Sequence, residues 1–307
     1  MNKRLRWLDA TRGLAALIVL ASHTVDYFWR GYADAVQAGN AGVVLFFLCS
    51  GYVIPISLEA LSLKRFWLRR FFRLYPLYWL SIVLFLALGS HQVALPVIAA
   101  NLTMLQFFMG IPHISSIYWS LTVEMVFYIM VSALKLLRLH HWTFEVLIVL
   151  CLGLTVLRHV APTLANLLVY LPVCLFGTLI YWVDQQRYGR RELLSGLALL
   201  VVYLCSWPAP LSFIVGWLLV LGLFLTIYSR RDLFQPALLI WCGQVSYSIY
   251  LLHAFPLWLT RGWGMPLVFL VAAIGYAVIE RPAIRLGHWL TRRPRGAAVG
   301  EHATLPS

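Results

Sequence analysis

Several ionisable side chains interrupt long apolar runs of this chain: His23, Asp26, Glu124 and His253. A neutral imidazole can take the proton of a hydroxyl, and a carboxylate can orient that imidazole or place a second hydroxyl. Arg12 precedes His23 by eleven residues. On a helix that is three turns, ~16 Å, and a return to nearly the same face. One groove then holds a guanidinium at its mouth and an imidazole in its far half. Asp26 follows His23 by one turn and could orient its ring. Ser120, Glu124 and Tyr128 form one helical stripe, and Ser246, Tyr250 and His253 form another. Taken singly, either histidine fits a structural role and Glu124 fits a pairing between helices. Together, His23, Glu124 and His253 come from three unrelated segments and are expected at one depth, around a shared polar cavity.

A second constellation is the run Lys64-Arg65-Phe66-Trp67-Leu68-Arg69-Arg70-Phe71-Phe72-Arg73-Leu74-Tyr75-Pro76. Cations interleaved with aromatics suit a juxtamembrane lipid anchor. They equally suit a site for a phosphorylated ligand, because the guanidinium fork matches phosphate oxygens. No phosphate-binding GxxxxGK[ST], no HExxH, no GxSxG, no Rossmann GxGxxG after a strand and no CxxC occurs. ATP-driven transport, zinc proteolysis and hydrolase-fold chemistry therefore lack their usual signatures, and the reading assigns no metal.

The elements that must position these groups follow from composition. Of 307 residues, 62% are hydrophobic and only 11% charged. The mean hydropathy is +0.82. Soluble domains carry roughly 25% charged residues, so the expectation is an all-α integral membrane protein. Apolar runs near 20 residues suit helices rather than the shorter alternating strands of a barrel. Spans are expected near 12–29, 40–58, 74–90, 116–137, 142–158, 163–182, 192–207, 211–229, 237–259 and 263–284. The run 91–109, with His91, Pro96, Asn101 and Gln106, is ambiguous. If it does not cross, ten spans with both termini cytoplasmic put 21 of the 24 Lys and Arg inside, leaving only Arg30, Arg158 and Arg261 outside. If it crosses, only 11 of the 24 stay inside. The positive-inside rule selects ten spans, with 91–109 re-entrant or on the outer surface. The net charge of +13 is explained in the same way, without nucleic acid. Residues 1–290 then form one transmembrane domain and 291–307 a short disordered cytoplasmic tail. The basic start resembles a signal peptide but reads as an uncleaved first span. The five cysteines, Cys49, Cys151, Cys174, Cys205 and Cys242, read as small buried hydrophobes.

With these residues in hand, the chain resembles the acyltransferase-3 family of multi-span membrane acyltransferases along essentially its whole length. The matching segments are Leu8-Asp9-Ala10-Thr11-Arg12-Gly13 with His23 beyond it, Phe46-Phe47-Leu48-Cys49-Ser50-Gly51-Tyr52, and Arg69-Arg70-Phe71-Phe72-Arg73-Leu74-Tyr75-Pro76. Further on come Trp119-Ser120-Leu121-Thr122-Val123-Glu124-Met125-Val126-Phe127-Tyr128, Ser246-Tyr247-Ser248-Ile249-Tyr250-Leu251-Leu252-His253 and Tyr276-Ala277-Val278-Ile279-Glu280-Arg281-Pro282. Asp26 lies outside this pattern. The family's ten spans, both ends inside, agree with the charge count. The resemblance implies transfer of an acyl group, acetyl foremost, from cytoplasmic acyl-CoA to a hydroxyl of a glycan, glycolipid or other envelope acceptor. It implies a bacterial inner membrane and no permanently bound cofactor. His23 would be the general base, with Arg12 and Glu124 in the catalytic group. Arg69, Arg70 and Arg73 would hold the coenzyme. Asp26, Ser246, Tyr250, His253 and Glu280 are further candidates. The extra outer esterase-like domain of some members is not expected here. A proton-coupled secondary transporter using the same buried groups, and a non-catalytic scaffold or sensor, are the alternatives.

Overall fold

The computed structural model describes residues 5–29, 37–89 and 92–292. Lys3 and Arg4, and most of the predicted tail 291–307, lie outside the described residues. The described residues form helices and no strand. In chain order these are α1 (Arg6–Phe28), α2 (Ala38–Ala60), α3 (Leu63–Leu88), α4 (Leu95–Asn101), α5 (Trp119–Leu136), α6 (Thr143–Val160), α7 (Pro162–Leu168), α8 (Leu171–Asp184), α9 (Arg190–Cys205), α10 (Leu211–Ser229), α11 (Ala237–Gln244), α12 (Ser246–Leu252), α13 (Ala254–Leu259), α14 (Met265–Gly275) and α15 (Arg281–Leu290). A π-turn, Tyr276–Glu280, joins the last two.

Seven helical segments are long and apolar enough to cross a membrane, and α11 with α12–α13 makes an eighth that is bent by 60°. The bend falls at Val245. Each predicted run falls on one of these or on α1 and α9. Helix α1 is long enough at 23 residues but carries Arg6, Asp9, Arg12 and Asp26, and α9 has 16 residues. The chain is thus an all-helical, multi-span membrane protein.

The structure refines three of these readings. The span expected from 74 begins earlier: α3 is one helix of 26 residues from Leu63 to Leu88 and takes in the cationic run Lys64–Pro76. Leu, Arg, Lys and aromatic residues propagate a helix as well as apolar ones do, so charge ends the apolar signal without ending the helix. The segment 91–109 contains no helix longer than the seven residues of α4. That is about 10 Å of rise, too short to cross. It runs back along α3: Tyr78 donates its hydroxyl to the Asn101 carbonyl at 2.7 Å and Tyr75 donates to that of Thr103 at 3.0 Å. The Asn101 side chain closes the return by bonding the Pro112 carbonyl and the Ile114 amide. The segment thus lacks a helix of spanning length among its described residues. Finally, Cys205 is exposed, whereas the other four cysteines are buried. It ends the short helix α9, where no neighbour covers it.

The bundle is drawn together where backbone meets backbone. A β-carbon on Gly13 would stand 2.0 Å from the Leu239 carbonyl oxygen, and one on Gly243 would stand 1.8 Å from that of Asp9. This fixes α1 against α11. A β-carbon on Gly51 would be 2.0 Å from the Cys174 carbonyl, and one on Gly177 would be 2.4 Å from that of Leu48, which fixes α2 against α8. Lipid tails are as apolar as leucine, so close contact between small residues is what holds such helices together. Gly13 adjoins Arg12, and Gly51 adjoins Ser50, so the same crossings set the site.

Gly243→Ala and Gly51→Ala should each lower stability by about 2 kcal/mol or more through overpacking. Gly222→Ala, where nothing lies within 4 Å of the added carbon, should leave it unchanged. Thermal unfolding of the detergent-solubilised chains reads the difference.

Candidate functional site

The two predicted stripes and the cationic helix meet around one cavity of about 780 Å³, its open part included. Arg12 of α1, Ser50 of α2, Arg70 and Arg73 of α3, Ser120, Glu124 and Tyr128 of α5, and Ser246 and Tyr250 of α12 line it. Helix α3 supplies the cationic wall because residues 70 and 73 are one turn apart on one face. Helices α5 and α12 supply the hydroxyls through their i, i+4 spacing.

Arg70 donates from Nη2 to Ser57 Oγ at 3.1 Å, and its guanidinium lies over the Phe66 and Tyr128 rings at 5.6 and 5.8 Å. Its Nε is buried without a partner. Arg73 forms an ion pair with Glu280, whose side chain is fully buried, and lies 5.7 Å from the Tyr247 ring centre. The second Glu280 oxygen accepts the Ser248 hydroxyl at 2.6 Å. Glu280 reaches this position from the π-turn ahead of Pro282. Proline has no N–H and its ring crowds the carbonyl four residues back, so the turn widens there. Arg69 does not join the cavity wall: its Nε donates to Thr291 Oγ1 at 2.8 Å, tying α3 to the end of α15. One residue of difference from Arg70 is 100° of helix, which points Arg69 elsewhere.

Glu124 Oε1 accepts the Tyr128 hydroxyl and stands 3.4 Å from the Ser50 hydroxyl. One turn outward, Ser120 Oγ and Tyr250 Oη are 2.6 Å apart, and Tyr250 donates to the Ile117 carbonyl at 2.9 Å. Three residues beyond Tyr250, the buried His253 ring lies 5.0 Å from that of His23, centre to centre. His253 Nδ1 is 2.8 Å from the Tyr250 carbonyl oxygen. A carbonyl only accepts, so Nδ1 carries the proton and Nε2 offers the lone pair. His23 and Asp26 are half-buried on α1.

The expected single level therefore separates into two. His23 and His253 form one pair. Glu124 lines the cavity instead, with Arg12, Arg70 and Arg73. Tyr250 and Ser120 stand between them. Neither histidine lines the cavity itself. The sequence does not show this separation because it does not show how α5 sits beside α3: Tyr118, just ahead of α5, packs on Tyr78 at 4.8 Å. The Arg73–Glu280 pair spans 207 positions, and no local pattern announces it. Chemically, three guanidiniums and Glu124 line the cavity, with Glu280 engaging Arg73 and Asp9 close enough to act on Arg12 and Arg73. The buried, unpartnered Arg70 Nε suits an anion, and the histidine pair offers a base beyond it.

Removing one partner of the Arg73–Glu280 pair strands a buried charge, which typically costs about 3–5 kcal/mol. Arg73→Met and Glu280→Leu should each destabilise the chain on that scale, and the double variant should lose clearly less than the sum. A double-mutant cycle of unfolding midpoints in detergent checks this.

A family model described as an acyltransferase domain matches residues 5–279. The peptidoglycan O-acetyltransferase OatA of Listeria monocytogenes is 26% identical over 94% of this chain and 46% of its own length. The exopolysaccharide production protein ExoZ of Rhizobium meliloti is 29% identical over 86% of this chain and 95% of its own. The chain thus spans about half the length of the first relative and nearly all of the second. No solved structure matches it. The family match runs from the start of α1, through both stripes and the cationic helix, to the π-turn, and the chain belongs to the acyltransferase-3 family.

Proposed function

We propose that the chain moves an acyl group, acetyl foremost, from cytoplasmic acyl-CoA to a hydroxyl of a surface polysaccharide or peptidoglycan. One observation carries this reading: Arg12, Arg70 and Arg73 crowd one cavity at the inner end of a polar path that leads to His23. The donor's phosphates neutralise the guanidiniums, with the unpartnered Arg70 Nε among the groups that bond them. The pantetheine arm extends outward past Tyr250. His23 takes the acceptor hydroxyl's proton as its oxygen attacks the thioester carbonyl. The C–S bond then breaks, and the imidazolium returns the proton to the leaving thiolate. His253 positions the His23 ring. Glu124 holds Tyr128 and Ser50 beside the guanidiniums, and Ser120 with Tyr250 keeps the middle of the path polar. The acceptor class rests on the relatives, whose names point to peptidoglycan and exopolysaccharide.

The topology belongs to the same reading. Ten spans with both termini cytoplasmic, in a bacterial inner membrane, put the cationic end of α3 inside and the histidine pair outside. The charge count and the turned-back segment after α3 support it.

Transfer from labelled acetyl-CoA to a polysaccharide acceptor, by the chain in liposomes, tests the chemistry. His23→Ala should lose at least about a hundredfold in kcat, the usual weight of a general base. Arg70→Ala should raise the KM for the donor about tenfold, the scale of a lost charge-assisted bond, with little change for the acceptor. Lysine at position 70 should restore only part, since it lacks the fork. Full activity of His23→Ala removes the base assignment, and an unmoved donor KM makes Arg70 a packing residue only.

In a chain freed of its native cysteines, single cysteines at Gly89 and Ile114 should both react with a membrane-impermeant thiol reagent from outside. Labelling at Gly89 alone would mean that the segment between them crosses, and would invert every later span.

A further inference from the structure

At the inner end of the bundle, away from the cavity, Glu59, His140 and His141 come together. Glu59 ends α2, and the two histidines sit in the turn between α5 and α6. One ligand atom from each of the three residues lies within 4.8 Å of the others. His140 Nε2 is 3.2 Å from Glu59 Oε1, and the two imidazole rings are 3.9 Å apart. Both Nδ1 atoms, of His140 and of His141, are buried without a hydrogen-bond partner. Left so, each costs the desolvation of a polar atom. A pocket of about 310 Å³, walled by Glu59, His140 and Trp182, borders the group. His141 packs edge-on to Trp182 at 4.8 Å, which limits how its ring can turn.

We propose that Glu59, His140 and His141 form a binding site for a divalent transition-metal ion, Zn²⁺ foremost. Two imidazole nitrogens and one carboxylate oxygen are a common zinc set, with water in the fourth position. Ligand atoms on one ion stand about 3.3 Å apart when bonds are near 2.0–2.1 Å, so Glu59 Oε1 and His140 Nε2 are already at binding separation; His140 Nδ1 then faces away from the ion, and His141, within 4.8 Å, must close on it. Mixed nitrogen–oxygen donors prefer such ions over Mg²⁺ or Ca²⁺. Two cations oppose the site. Lys135 donates to the Leu58 and Leu61 carbonyls beside Glu59, and Arg187 donates to the His141 carbonyl at 3.3 Å. They moderate affinity, which suits an exchangeable ion. The ion would tie the inner end of α2, the helix of Ser50, to that of α5, the helix of Glu124.

The test uses the full chain in detergent, carrying an affinity tag without histidine and stripped with EDTA. Co²⁺ is titrated while its visible d–d absorption is followed, and Zn²⁺ is then added in competition. One equivalent of Co²⁺ with mixed nitrogen–oxygen bands, displaced by Zn²⁺, is expected. His140→Gln with His141→Gln should abolish the bands, and Glu59→Gln should weaken binding about tenfold or more. Zn²⁺ should raise the unfolding midpoint of the native chain but not that of the double variant. The elution profile of each variant shows that it remains folded. Should the native chain bind no Co²⁺, or the folded double variant bind it as well as the native chain does, the site is overturned.

Discussion

Backbone touching backbone is the constraint on which this molecule turns. In water, helices are pressed together by the loss of apolar surface. In lipid that drive is absent, and what remains is how closely two helices can approach. Gly13 against α11 and Gly51 against α8 allow an approach that a single methyl group would prevent. Each crossing sits beside a polar residue of the cavity. The geometry of Arg12 and Ser50 is thus inherited from two places where no side chain exists.

The second constraint is charge. Three guanidiniums in a low-dielectric bundle are tolerable only with anions or aromatic faces close by. Glu280 and the Tyr247 ring answer Arg73, and Ser57, Phe66 and the Tyr128 ring answer Arg70. Asp9 acts on Arg12 and Arg73, and the unpartnered Nε of Arg70 leaves one donor in this wall for an anion. Hydroxyls take over further out: Ser120 and Tyr250 bond one another and the Ile117 carbonyl, and His253 then bonds the Tyr250 carbonyl. The polarity therefore changes along the path from charged to neutral to basic, the order in which a phosphate tail, a linker and a reacting carbonyl would need them.

Much of this was legible in the sequence, and the parts that were not share a cause. Apolar runs near bilayer length dictate helices, so the positions of α2, α5, α6 and α10 read directly. The stripes Ser120–Glu124–Tyr128 and Ser246–Tyr250–His253 read equally well, because helical periodicity is local. Sequence could not show where one helix lies relative to another. That put Glu124 with His23 although Glu124 lines the cavity and His23 does not, and grouped Arg69 with Arg70 although Arg69 bonds Thr291. The inward extension of α3 was hidden because charged residues end an apolar run without ending a helix. The break at Val245 has no proline or glycine at the bend itself. The paired histidines His140 and His141 were visible as a dipeptide, but their carboxylate partner is far away in the chain.

That break has a consequence for how such a molecule can change over time. Up to Gly243, α11 is locked to α1 by backbone contact. Beyond Val245 the chain turns by 60° and carries Tyr250 and His253 on a separate short helix. Substitutions in the outer piece can re-aim the histidine pair and reshape the opening beside it without loosening the crossing that holds Arg12. The end of the bundle that holds Arg12 is then free to stay constant while the end that holds the histidine pair changes shape.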